Sequence, residues 1–159
     1  IPHYQINTTS KLVKIKKHFN NLTKIKYKVF RYQKRGFRIL FYNPDLLNNI
    51  LTTKVNLNFL LRRNFPPKYN LESYLNHIIF QIKKGIIPPE IGIFLGYPLK
   101  DVLGFIGHPR LKLTKINGWR VYGDCRLSDK IYNIIKLAKV KMKHLISNYD
   151  YQQILKVMK

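Results

Sequence analysis

Acidic residues are what this chain most lacks. Seven Asp and Glu stand against thirty Lys and Arg in 159 residues, a formal charge of +23 at pH 7. A small domain carrying one sign at that density repels itself unless anionic partners neutralise it. Nucleic acid, an anionic membrane surface and an acidic protein are the partner classes this admits. Cysteine is nearly absent too: Cys125 stands alone, which excludes an intrachain disulfide framework and a CxxC metal pair. A reducing compartment, the cytoplasm, is the expected setting. His3, His18, His77, His108 and His144 show neither HxxxH nor HExxH spacing, so no metal site is expected. The glycines form neither a GxGxxG fingerprint nor a Walker loop, so no cofactor is expected either. No apolar run approaches the ~18 residues of a membrane span. The opening IPHYQINTTSKLVKIKKH lacks the long apolar core of a secretory signal, and Ile1 in place of Met suggests trimming or an unseen start.

What is present is a core. Hydrophobic residues make up 45% of the chain, with 11 Tyr and 9 Phe, unlike a disordered basic tail, which is poor in aromatics. The length suits one domain of ~100–200 residues. The Ile, Asn, Lys and Tyr content suggests an AT-rich coding sequence, a bias that favours Lys codons and offers a bland alternative source for part of the charge.

Leu12, Ile15, Phe19 and Leu22 recur at helical spacing, predicting a helix over 9–22. KIKYKVFRY at 24–32 then alternates, with Ile25, Tyr27 and Val29 expected inward and Lys24, Lys26 and Lys28 on the other face. FRILFY at 37–42 completes a hairpin around a basic turn, Gln33 to Gly36. Asn43 and Pro44 open a helix at about 44–52. Further helices are expected at 55–63, 70–84, 89–95 and 98–107. A third strand is expected within 111–122, centred on Trp119 to Tyr122. A last helix is expected at 127–147, with Ile131, Ile134, Ile135, Ala138, Met142 and Leu145 inward. No repeat or linker divides the chain. The fold class is α+β: one domain, 1–159, in which a small antiparallel sheet (hairpin about 24–42 plus a strand at about 111–122) packs with several helices. Fraying is expected at 1–8 and 149–159.

EIGIFLGYPLKDVLGFI at 90–106 and GWRVYGD at 118–124 resemble an uncharacterised bacterial family common in anaerobic Firmicutes, the domain of unknown function 3793. Its members look like EIGxFLGYPLxDVxGFI followed by a GxWxVYGD segment. FRILFYNPDLL at 37–47 is similar to the family's middle, so the resemblance spans most of 37–140. Members often carry His where this chain has Pro89, and Cys where it has Ile116 and Asn117. The resemblance implies a family and no established activity.

Two constellations compete for the functional site. The stretch 11–38 is acid-free, with Lys11, Lys14, Lys17, Lys24, Lys26, Lys28, Arg31, Lys34, Arg35 and Arg38 interleaved with Tyr27, Phe30, Tyr32 and Phe37. Cations and aromatics in that mixture suit phosphate contact with base stacking. Lys136, Lys139 and Lys143 of the last helix supply a second basic surface. The leading expectation is a non-catalytic nucleic-acid-binding protein, RNA-binding or ribonucleoprotein-associated, with RNA favoured over DNA because no DNA-reading motif is visible. The alternative is a small-ligand or enzyme site in the signature, with Glu90, Tyr97, Asp101, Trp119, Tyr122 and Asp124 around a pocket. There Glu90 and Asp101 would be paired carboxylates for acid–base work. The signature also reads simply as a tight two-helix corner, with Trp119 and Tyr122 as core. A third reading is an adaptor docking on an acidic protein or membrane surface. No residue is assigned as catalytic, and Cys125 reads as an ordinary thiol.

Overall fold

The apolar stripe of 70–84 forms the helix its spacing predicts, and the rest of the core gathers on it. In the computed structural model, residues 24–32, 36–85 and 87–150 are described, together with Leu12, Val13, Lys17, Phe19, Leu22, Gln153 and Ile154. The predicted helix at 9–22, the turn residues 33–35 and the cations Lys11, Lys14, Lys34 and Arg35 thus lie largely or wholly outside the described residues.

In chain order the elements are β1 (Lys26–Arg31), β2 (Phe37–Tyr42), α1 (Pro44–Leu51), α2 (Lys54–Arg62), α3 (Leu71–Lys83), α4 (Ile91–Phe94), α5 (Leu99–Phe105), β3 (Leu113–Asn117), β4 (Trp119–Tyr122) and α6 (Arg126–Asn148). The chain is α+β. The Asn70 side chain caps α3 by accepting the Ser73 N–H at 3.0 Å, and Gly85 at φ +95° ends the turn that follows. Tyr74, Leu75, Ile78, Ile79 and Ile82 of α3 are buried. At about 2 kcal/mol for each large apolar side chain, that face contributes on the order of 10 kcal/mol before chain entropy is counted. Leu47 and Leu51 of α1, Leu60 of α2, Ile93 and Phe94 of α4 and Val102 of α5 complete the cluster.

The first hairpin pairs Lys26 with Tyr42 through to Arg31 with Phe37. Its faces differ from the sequence expectation. Phe30 and Tyr32 enter the core, and Leu40 and Tyr42 pack against it. The face that carries Lys28 is therefore the one turned toward α3, where Lys28 forms an ion pair with Glu72, while Lys24 and Lys26 on the same face stay exposed. Lysine tolerates this because its stem lies along apolar surface while Nζ reaches a carboxylate. On the opposite face Tyr27 and Phe41 pack on Phe19, at ring-centroid distances of 6.5 and 4.8 Å.

The expected single sheet is two. β3 and β4 form their own antiparallel pair, separate from β1 and β2. Asn117 faces Trp119 across Gly118 at φ +74°, and the register slips one residue between Leu113 and Lys115. A Cβ on Gly118 would also meet the Tyr132 ring at 2.9 Å. The second hairpin packs on α5: a Cβ at Gly104 would sit 2.2 Å from Cγ of Tyr122, so only glycine lets the strand approach.

α6 departs furthest from its expected packing. Only Ser128 in it is buried. Ile131, Ile135, Met142 and Leu145 are half-buried, Ala138 is exposed, and Ile134 retains 58% of its surface. Apolar spacing forms an amphipathic helix but does not supply the layer that would cover it. Among the described residues no helix is long and apolar enough to cross a membrane.

Candidate binding cleft and cationic surface

Asp101 is the structural centre of the signature. Its carboxylate is 2% exposed and accepts four hydrogen bonds from three elements and their flanks. Oδ1 accepts Lys100 Nζ at 2.6 Å and the Tyr122 N–H at 2.9 Å. Oδ2 accepts Trp119 Nε1–H at 2.8 Å and the Ser128 hydroxyl at 2.7 Å. Burial pushes the carboxyl pKa up, but the bonds from Lys100, Trp119, Tyr122 and Ser128 together outweigh it, and the pKa lies below its ordinary value. Asp101 thus ties α5, β4 and the first turn of α6 together. With both oxygens occupied it is a positioning group rather than a free acid or base.

The bond to Asp101 fixes the Trp119 ring. Tyr97, delivered by the turn between α4 and α5, stacks on that ring at 4.5 Å and 15°. Gly92 permits the corner, since a Cβ there would meet Val102 Cγ2 at 2.8 Å. Beside the stack lies a cleft of about 350 Å³, with Ile91, Tyr97, Val102, Phe105 and Trp119 among its walls and Arg120 and Asp101 contributing the charged groups.

The six pocket residues expected from the sequence do not converge. Tyr97, Asp101 and Trp119 line the cleft. Tyr122 lies behind it, its ring packed on Gly104. Glu90 is buried, forms an ion pair with Arg63, and opens onto a different cavity of about 360 Å³ beside His77 and Gln81. The expected Glu90–Asp101 carboxylate pair is therefore divided between two cavities. Asp124 is exposed, and hydrogen bonds from the Arg126 side chain and backbone lower its pKa to about 2. Arg120 and Phe105 were missed as cleft residues. A charged residue between Trp119 and Val121 on a short strand was the available signal. Among the described residues no group of His, Cys, Asp and Glu is arranged to hold a metal.

Most of the acids have internal tasks. Glu72, Glu90, Asp101, Asp124 and Asp129 each form an ion pair. Asp45 lies in the first turn of α1, and Asp150 accepts the Gln153 N–H at 2.9 Å. Among the described residues only these two exposed carboxylates stand outside ion pairs, too few to offset the outer cations. Lys17, Lys24, Lys26 and Arg31 are exposed, as is Arg38, whose guanidinium lies 4.1 Å over the Tyr32 ring. Lys136, Lys139 and Lys143 are exposed too, and their spacing places them on one face of α6. Lys28 differs, being held by Glu72 with Asn76 beside it.

A family model described as Protein of unknown function (DUF3793) matches residues 3–155. The chain belongs to this family. No curated protein and no solved structure matches it. The match takes in both the Asp101-centred corner and the whole of α6. Both regions fall within the one family match, which assigns neither a task.

Proposed function

We propose that this family member is a non-catalytic, cytoplasmic nucleic-acid-binding protein, of RNA more than DNA, associated with ribonucleoprotein. The observation that carries the reading is that five of the seven acids are held in ion pairs within the chain, which leaves the many outer cations largely uncompensated. Lys24, Lys26, Arg31 and Arg38 of the first hairpin and Lys136, Lys139 and Lys143 of α6 contact phosphates. Lys28, engaged by Glu72, is left out of that set. Phe37, 51% exposed beside Arg38, offers a ring for base stacking. Phosphate contacts position without reading sequence, so selectivity is weak.

The test is a salt series with a single-stranded RNA, a duplex DNA and heparin as competitor. Seven phosphate contacts at about 0.7 counterions each give a slope of log K against log salt near −5. The triple variant Lys136→Glu, Lys139→Glu, Lys143→Glu should flatten the slope to about −3 or less. An unchanged slope removes α6 from the interface. Heparin competing as well as RNA reduces the interaction to generic charge.

One observation favours a second reading. Leu127, Ile134, Leu137, Val140 and Ile146 of α6 are each more than half exposed among the lysines. A helix of that composition also suits an anionic lipid surface. Flotation of the protein with anionic but not neutral vesicles would favour the adaptor reading over RNA.

A further inference from the structure

The cleft beside Asp101 lies outside the residues proposed above to contact phosphates, and its lining is mostly apolar. Its walls are apolar and aromatic, with rings from Tyr97, Phe105 and Trp119. At about 350 Å³ it falls in the range of small-molecule pockets. The rings are held before any ligand arrives. Trp119 is fixed by its bond to Asp101, by the stack on Tyr97 and by an edge contact to Tyr132 with centroids 6.3 Å apart. Such pre-organisation lowers the ordering cost of binding.

The charges in the cleft are unequal in what they can still bind. Asp101 has both oxygens filled by four donors, so it has little capacity for a cationic or donor ligand. Lys100 is turned to Asp101 and the Tyr122 carbonyl. Arg120 is exposed, with its guanidinium 5.9 Å from the Phe105 ring centroid. No carboxylate ion-pairs with it among the described residues. One planar cation thus stands at a mostly apolar cleft whose other charged group, Asp101, is already satisfied by its four donors, and a guanidinium pairs well with a carboxylate through two parallel hydrogen bonds.

We propose that this cleft binds a small aromatic carboxylic acid, its ring against Tyr97, Phe105 and Trp119 and its carboxylate on Arg120. A nucleobase suits the site less well. Reading a base requires free donors and acceptors along its edge, whereas the Trp119 N–H and the Asp101 oxygens already satisfy each other. The proposal does not rest on the nucleic-acid reading.

Trp119 is the chain's only tryptophan, so its indole N–H gives one isolated NMR cross-peak from within the cleft. The full chain, free of nucleic acid and in moderate salt, is titrated with 2-naphthoate, with its neutral counterpart 2-naphthalenemethanol and with adenosine monophosphate. The expected result is a saturable shift of the indole peak with naphthoate, weaker binding of the alcohol, and weaker binding still of the nucleotide. Arg120→Gln, at an exposed position of β4, should weaken naphthoate roughly tenfold and leave the alcohol unchanged. Phe105→Ala should weaken both. A shift that never saturates overturns the proposal, as does naphthoate affinity that survives Arg120→Gln. Tighter binding of the nucleotide than of naphthoate overturns the ligand class. None of these outcomes bears on whether α6 binds RNA.

Discussion

Replacing Asp101 by Asn tests whether the signature is built around a structural carboxylate. The substitution keeps shape and volume but removes a charge and one acceptor. Oδ1 and Oδ2 each take two donors, so an amide NH₂ must oppose two of them whichever way it faces. If it replaces Oδ2, it meets the Trp119 N–H, which cannot reverse its role, and the Ser128 hydroxyl, which can rotate. If it replaces Oδ1, it meets Lys100 and the Tyr122 N–H, neither of which can accept. At least one buried donor is stranded, at about 1–3 kcal/mol, and Lys100 loses its counter-ion. Breaking a buried pair by removing one partner costs about 3–5 kcal/mol, which sets the expected total. The assay is equilibrium urea unfolding at pH 7, followed by Trp119 fluorescence and circular dichroism. With a slope of about 2 kcal/mol per molar urea, the midpoint should fall by roughly 2 M. A loss below about 1 kcal/mol would refute the keystone role and reopen Asp101 as a functional acid. The same site predicts a pH dependence. The carboxyl pKa is lower in the folded chain than its ordinary value, so on acidification the unfolded chain takes up this proton first. The stabilisation is present above the ordinary carboxylate pKa and is lost as pH falls through the folded one. Asp101→Asn should remove that part of the acid destabilisation, seen as a shallower fall of stability below about pH 4.

Gly104→Ala should be among the most damaging single-methyl additions, because the new Cβ would lie 2.2 Å from Cγ and 2.5 Å from Cβ of Tyr122. A loss of about 3 kcal/mol or more is expected from overpacking, read as a lower thermal midpoint. A wild-type midpoint would mean that β4 does not sit on α5. Asn70→Ala removes the acceptor for the Ser73 N–H at 3.0 Å and should cost about 1 kcal/mol in urea unfolding. No loss there would show that Glu72 or solvent caps α3 equally well.

Much of the secondary structure was legible because it is local. The stripe in 70–84, the Asn-Pro start at 43–44 and the alternation in 24–32 each carry their period and their punctuation within a few residues. The tight Gly118 turn inside 111–122 was less legible, since a one-residue connection leaves little turn composition to see. The signature's corner glycines were readable as glycines, but which neighbour each admits was not. Gly104 faces Tyr122 from eighteen positions later in the chain, and no local pattern encodes that approach.

By itself the sequence determined the charge, the single cysteine, the helical and strand periods and the family. These depend on composition or on neighbours along the chain. The tertiary structure decided which acids are consumed and where. It divided Glu90 from Asp101, turned Lys28 inward to Glu72, left much of α6's apolar stripe exposed and set Arg120 beside an aromatic cleft. Each of those outcomes depends on which surfaces meet in space. A hydrogen-bonding group or a hydrophobic face specifies what kind of partner it needs, and only packing supplies the particular one.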